Sequence, residues 1–344
     1  MGQRTTVYNH LSDQATLSKC NPENLRLAED YMEYLASVGR SPGTIYQYRA
    51  NLNIFWCWNY RENRDKFFVK VTKRDFAKFQ NAALNQWKWS PRRVRTFRAT
   101  LSSLSNYIEN MLDDEFPDYR SVVLKIEAPA NDLVREKTVF EESELQQILD
   151  ELCEQGRYEQ ACMLSLAMNS GRRKSELLLF KVSYFDKKNL ICGGALYKTP
   201  EKIKTKGRGV NGKPLTVYTL AKGFDKYLNL WLEAREKAGI KSEWLFPKHD
   251  KRSPDHLEVH TMDAWAKLFS SIIGRPFYWH SMRHFFTTKL AKSNIPDTVI
   301  ADIVGWSSPA LVAVYNDSEA EDEFDKYFDA NGIKEVRVGS ITEL

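Results

Sequence analysis

Apolar residues return every three to four positions through most of the first 120 residues, the period of a helix with one buried face. The spacing predicts helices over residues 25–38, 44–58, 73–87 and 92–111. Ser41-Pro42 opens the second and Ser90-Pro91 the fourth, each joining a capping hydroxyl to a proline whose fixed φ suits the first helical turn. These four form a helical bundle over residues 22–126. Residues 1–21 are polar and without a period, and are expected to be a flexible arm. Residues 127–137 lack large apolar side chains and contain Pro129, as an exposed connection between domains does. Helical spacing resumes over 142–153, 158–168 and 174–180. The period then changes: 189–197 and 213–220 read as strands, joined by a Gly- and Lys-rich stretch, 202–212. Helices return from 221. The expected fold class is mainly α: an N-terminal four-helix domain, then a mixed α/β domain over 138–316 with a small antiparallel sheet, and a C-terminal acidic helix or tail over 317–344.

At 344 residues with 42% hydrophobic content, the chain can fill two cores. Its most apolar stretches, such as residues 163–168, fall far short of the roughly 20 residues that cross a bilayer. No membrane partner is expected, and the location expected is the cytoplasm. The five cysteines are scattered, without the paired spacing of zinc or disulfide frameworks, so reduced structural thiols are expected and no metal. The net charge of +5 understates the basic surface, because residues 317–344 are strongly acidic. Residues 1–316 carry 47 Lys and Arg against 36 Asp and Glu, a net +11. Such an excess suits a polyanion, since neutralising phosphates and releasing their counterions dominates nucleic-acid affinity.

Three short segments hold the candidate chemistry. In Trp279-His280-Ser281-Met282-Arg283-His284, His280 and Arg283 stand three apart and share a helix face or end. Tyr315 follows 32 residues after Arg283, preceded by Gly305-Trp306-Ser307-Ser308-Pro309. Upstream lies Ser170-Gly171-Arg172-Arg173-Lys174-Ser175-Glu176-Leu177. Alone, the pair His280 and Arg283 reads as a surface helix and Arg172-Arg173-Lys174 as a solvated basic run; the three segments in this order do not.

Together they resemble the boxes of the tyrosine recombinase (phage integrase) family: small-Gly-x-Arg-x-Ser-Glu, then His-x-x-Arg, then Gly-His or Gly-Trp before a nucleophilic tyrosine. The resemblance implies that Arg173 and Arg283 bind the phosphate under attack, that Glu176 supports Arg173, that His280 donates or shuttles a proton, that Trp306 supplies an indole N–H and a packing wall, and that Tyr315 attacks. These residue types suit the chemistry. A phosphodiester gains negative charge when an oxygen attacks it, and planar guanidinium forks meet that charge. A phenol, with an ordinary pKa of about 10, needs a cationic pocket or a base to become a nucleophile. The family's general acid is a lysine on a strand-to-strand hairpin; Lys206, in Thr205-Lys206-Gly207, fits best, with Lys204 its rival.

The first domain resembles the family's core-binding (SAM-like) helical domain, on Ser41-Pro42-Gly43-Thr44-Ile45-x-x-Tyr48 and the arginines opening the fourth helix, of which Arg92 and Arg95 are expected to touch DNA phosphates. No arm-binding domain of the kind some members carry is expected. The resemblance further implies a duplex DNA partner with a specific core site, a phage or bacterial source acting on the nucleoid, no cofactor, and a homotetramer on DNA, with an accessory bending or directionality protein as a further partner. The tail, with Phe324, Tyr327 and Phe328 on one side of an acidic helix, would then dock on a neighbouring protomer. Two other readings share the scaffold: a type IB topoisomerase, marked by relaxed circles without exchanged ends, and a non-enzymatic DNA-binding regulator.

Overall fold

The computed structural model describes residues 11–130, 139–205, 213–250 and 253–316, together with the backbone of 328–329 and 332–333. Near residue 136 the chain divides into two compact units. The expected linker falls mostly on residues 131–138, which lie outside the described residues.

The first unit is helical: α1 (Gln14–Leu17), α2 (Pro22–Ser37), α3 (Pro42–Glu62), α4 (Lys73–Asn81), running on into a π-helical turn (Ala82–Gln86), and α5 (Pro91–Met111). The local chemistry behaves as the spacing suggests. Ser41 Oγ accepts from the Thr44 N–H and Ser90 Oγ from the Arg93 N–H, with Pro42 and Pro91 in the first turn. Thr72 and Asp75 form a reciprocal capping box on α4. Phe55, fully buried on α3, packs against the rings of Trp56, Trp58, Phe68, Phe76 and Phe79, with centroids 5.2 to 5.9 Å apart.

The arm needs a correction for residues 11–21. Asp13 caps α1, Arg61 on α3 bonds Asp13 and Thr16, and Leu11 and Cys20 are buried in the unit's core. A single turn is too short to show a period, so this segment's polar surface hid its two anchors.

The second unit is built round α7 (Tyr158–Ser170), in which every residue from Ala161 to Ser170 is buried, so it has no polar face. Helices α6 (Glu142–Glu154), α9 (Asp225–Lys237) and α11 (Ser281–Lys292) pack on it. Between α7 and α9 run the short α8 (Lys174–Leu177) and strands β1 (Leu190–Ile191), β2 (Leu196–Lys198), β3 (Ile203–Thr205), β4 (Lys213–Leu215) and β5 (Tyr218–Leu220). The order β1-β2-β5 makes one antiparallel sheet and β3-β4 a separate hairpin, registered Ile203↔Leu215 and Thr205↔Lys213. Helices α10 (Val259–Ile273), α12 (Asp297–Val304) and α13 (Ala310–Tyr315) complete the unit.

Several expectations change here. The stretch 189–197 is two strands, because Cys192, Gly193 and Gly194 take positive φ and turn the chain. The stretch 213–220 likewise contributes to two different sheets, and Ile203–Thr205, expected in a connection, is itself a strand. The helix expected over 174–180 stops at Leu177. In the tail, Phe328–Asp329 (β6) pairs antiparallel with Gly332–Ile333 (β7), so Phe328 is on a strand and not on the acidic helix expected there. Phe324 and Tyr327 lie outside the described residues.

Candidate active site

The site lies where three helix ends of the second unit converge. Helix α7 stops at Gly171, whose φ of 59° is left-handed. A Cβ there would come 2.5 Å from Phe286 Cδ1, so only glycine lets α7 approach α11 this closely. The Gly171→Ala variant is expected to lose about 2–5 kcal/mol of stability, from left-handed strain of ~1–2 and overpacking of ~1–3. An unchanged thermal unfolding midpoint would contradict this.

The turn after Gly171 sends its two arginines different ways. Arg173 caps α8: Glu176 accepts from its N–H (Oε2, 3.2 Å) and from its Nη1 (Oε1, 2.9 Å). Glu176 is buried while the Arg173 side chain is about a third exposed, so the acid fixes a guanidinium that still meets solvent. Arg172 turns inward and is buried.

Helix α11 supplies the opposite wall. His280 stands at its N-terminus and Arg283 one turn inside, 1% exposed. Arg283 donates from Nη1 to Gly171 O (3.1 Å) and from Nη2 to Val304 O (3.3 Å), and its guanidinium lies over Trp306 at 4.9 Å and over Tyr315 at 5.7 Å. Helix α12 ends at Gly305, φ 76°, where a Cβ would come 2.5 Å from Leu215 Cδ1 on β4; the β3-β4 hairpin thus rests on this turn. Trp306 follows, buried, its backbone N–H donating to Ala301 O.

Tyr315 is the last residue of α13, half-buried. Its ring centroid lies 4.8 Å from Trp306, 5.6 Å from His280 and 4.6 Å from His284. Thr288 Oγ1 lies 3.5 Å from Tyr315 O, so one face of α11, at intervals of four, carries His280, His284 and Thr288 against the tyrosine. His284 was passed over in the sequence. Its place four residues after His280, on the same face, was the signal that could have found it.

The electrostatics of the site are cationic. Burial first, then the charges of Arg172 and Arg173, lower the Arg283 pKa to about 9. Burial also lowers that of Arg172, to about 10. Partial burial, His284 and the two arginines Arg283 and Arg173 lower that of His280, which keeps its ring neutral to more acid pH than in water. Three guanidiniums face one carboxylate, Glu176. Such a set favours a bound phosphate, and two of the arginines present forks of donors.

The hairpin lysines are placed less fully. Lys204 is exposed on β3 opposite Pro214, and Lys206 lies outside the described residues. In the first unit, Arg92 and Arg95 are exposed on the first turns of α5, with Arg95 Nε bonded to Pro129 O. Arg93 instead stacks on Trp89 and Phe97, and Arg98 bonds Gln80 and the carbonyls of Val123 and Ile126.

A model described as the phage integrase family matches residues 138–322, more than half of the chain. The chain belongs to that family. This recombinase is 29% identical over 251 residues to the SPbeta prophage-derived recombinase-like protein YomM of Bacillus subtilis, covering 71% of this chain and 72% of YomM. It is 23% identical over 296 residues to tyrosine recombinase XerA of Pyrococcus horikoshii, covering 85% and 89%. Among solved structures, XerH site-specific recombinase bound to a palindromic difH substrate superposes with a TM-score of 0.64 at 17% identity, covering 93% of this chain and 89% of that one. A lambda integrase dimer bound to a COC′ core site gives 0.59 at 14%, covering 86% and 95%. The fold of the recombinase is thus a helical domain followed by a mixed α/β domain, the fold of these structures, and its class of reaction is DNA cleavage and rejoining.

Proposed function

We propose that this recombinase exchanges strands of duplex DNA at a specific core site by way of Tyr315. The observation that carries the reading is the Tyr315 ring enclosed by His280, His284 and Trp306 beside the Arg283 guanidinium. The Tyr315 Oη attacks the scissile phosphorus, forming the O–P bond of a 3′-phosphotyrosyl link and breaking the bond to the 5′ oxygen. Arg173 and Arg283 stabilise the charge gained by the non-bridging oxygens, with Glu176 orienting Arg173, and His280 handles the phenolic proton. Lys206, or Lys204 in its place, protonates the departing 5′ oxygen. Trp306 holds the tyrosine by packing its ring, tilted at 37°, against the phenol. A 5′-hydroxyl of a partner duplex then attacks the link and releases Tyr315, so the phosphodiester energy is kept and no ATP or cofactor is required.

DNA-bound relatives support the partner, since the XerH and lambda integrase structures contain their sites. We assign residues 22–126 to core binding, 127–137 to the linker, 138–316 to catalysis and 317–344 to contact with a neighbour in a homotetramer. Among the described residues no helix is long and apolar enough to cross a membrane, in keeping with action on cytoplasmic, nucleoid DNA, with or without an accessory bending protein.

The test is to incubate the full chain with a DNA library, trap covalent complexes under denaturing conditions and sequence the attached ends. Adducts joined through a 3′ phosphate at one recurring sequence are expected. Adducts at random positions, or none, would refute the reading. Arg92 and Arg95 are expected to contact backbone phosphates: replacing both by Ala should weaken binding alike on all sequences and reduce the slope of log K against log salt by ~1 per lost contact. An unchanged slope in a salt titration would remove them from the interface.

A further inference from the structure

Arg172 has no role in the reading above, and its position gives it one. Arginine is almost never fully buried without a partner acid, yet Arg172 is 1% exposed and its hydrogen bonds go to backbone carbonyls. Its Nε donates to Ser170 O at 3.1 Å and its Nη2 to Ile303 O at 2.8 Å. Arg283 makes the matching pair one residue further along each chain, to Gly171 O and Val304 O. Two successive carbonyls at the end of α7 and two at the end of α12 are therefore bridged by two parallel arginines. Both helices present their C-terminal, negative ends to these cations, which offsets part of the cost of burying them. The third nitrogen, Nη1, is buried with no hydrogen-bond partner among the described residues, and it lies 3.5 Å from where a Gly305 Cβ would stand.

We propose that Arg172 is a third arginine of the active site, a positioning residue that fixes the Gly305-Trp306 turn and adds a buried positive charge behind Arg283. The proposal rests on the recombinase reading of Tyr315. Its logic has two parts. Holding Ile303 O sets the end of α12, and from there one glycine leads to the indole that packs against Tyr315, so freedom at Ile303 becomes freedom at the nucleophile. The charge acts with the geometry. Arg172 is the cation that most lowers the pKa of Arg283, and Glu176 is the acid that offsets the two. The arginines therefore repel one another, and a scissile phosphate relieves that repulsion, the more so as the phosphorane gains charge. A neutral strut would do the first job and not the second.

The experiment compares the full-length Arg172→Lys, Arg172→Gln and Arg172→Met variants on the DNA recovered by trapping. Lys keeps the charge, Gln keeps an N–H donor to a backbone carbonyl without it, and Met keeps only the shape. Measured are DNA affinity, the single-turnover rate of adduct formation at saturating DNA, and the thermal midpoint. All three variants are expected to bind within about three-fold of the parent. Lys should cleave within about ten-fold of it, while Gln and Met fall by about a hundred-fold. Gln matching Lys, or rates that follow the thermal midpoints alone, would overturn the charge role; parent-like cleavage by Met would overturn the proposal outright. Should Gln and Met not fold, Lys decides: cleavage within ten-fold at unchanged affinity supports it, and a larger loss at an unchanged midpoint overturns it. A parent protein that forms no Tyr315-linked adduct would instead defeat the reading on which the proposal rests.

Discussion

The Tyr315→Phe variant is expected to form no covalent DNA adduct while binding DNA as the parent does. Removing one oxygen deletes the nucleophile and leaves the ring, which still packs against Trp306 and His284 with centroids 4.8 and 4.6 Å away. Stability should therefore stay within about 0.5 kcal/mol, the range for changes that remove no burial or buried bond. No other tyrosine is placed beside both Arg283 and Trp306 among the described residues. The expected loss is at least ~10⁴-fold, the scale seen when a covalent nucleophile is removed. Adduct formation is read on denaturing gels and binding by mobility shift. Adducts persisting above a thousandth of the parent rate would show that another side chain or water attacks.

Arg283→Lys is the second large effect. The guanidinium spends two nitrogens on Gly171 O and Val304 O and has a third, Nε, buried without a partner among the described residues. A lysine ammonium is a point charge with three donors and cannot hold two carbonyls on the C-terminal ends of two helices while also meeting a phosphate. The cleavage rate is expected to fall by ~10²–10³, the worth of one preorganised donor to developing charge. Stability changes less clearly with charge than with bonding. Each buried carbonyl left without a donor costs ~1–3 kcal/mol, whereas the loss of one cation beside Arg172 returns some of that. For Arg283→Met, which removes both bonds and the charge, a net loss of ~1–3 kcal/mol by thermal unfolding follows. Cleavage by Arg283→Lys within three-fold of the parent would show that the fork does not meet the phosphate.

Much of this site was legible because its chemistry sits in short boxes. Arg173 and Glu176 are three apart, as are His280 and Arg283, and such spacings put side chains together whatever the rest of the chain does. The Ser-Pro pairs and the helical period of the first unit are local in the same sense, and α2, α3, α4 and α5 lie on the four expected segments. What was not legible depends on distant partners. Arg172 and Arg173 are neighbours in a basic run, and nothing within a few residues says that one of them is buried. The strands are hidden for a related reason: β2 pairs with β5 across 20 to 24 residues, and β3 with β4 across 8 to 12, so strand membership is decided by pairing and not by alternation alone.

The sequence alone determined the mainly helical architecture, the caps that start its helices, and the identity and order of the residues around Tyr315, because each of these is written in periods and spacings of a few positions. Only the tertiary structure decided how the ends of α7 and α12 meet. Arg172 and Ile303 stand 131 residues apart in the chain, and Arg283 and Gly171 stand 112 apart. A buried guanidinium must find acceptors wherever packing brings them, since leaving its donors unpaired in a low dielectric is costly. That requirement joins the two helix ends, sets the turn before Trp306, and places Tyr315 against the arginine that its chemistry needs.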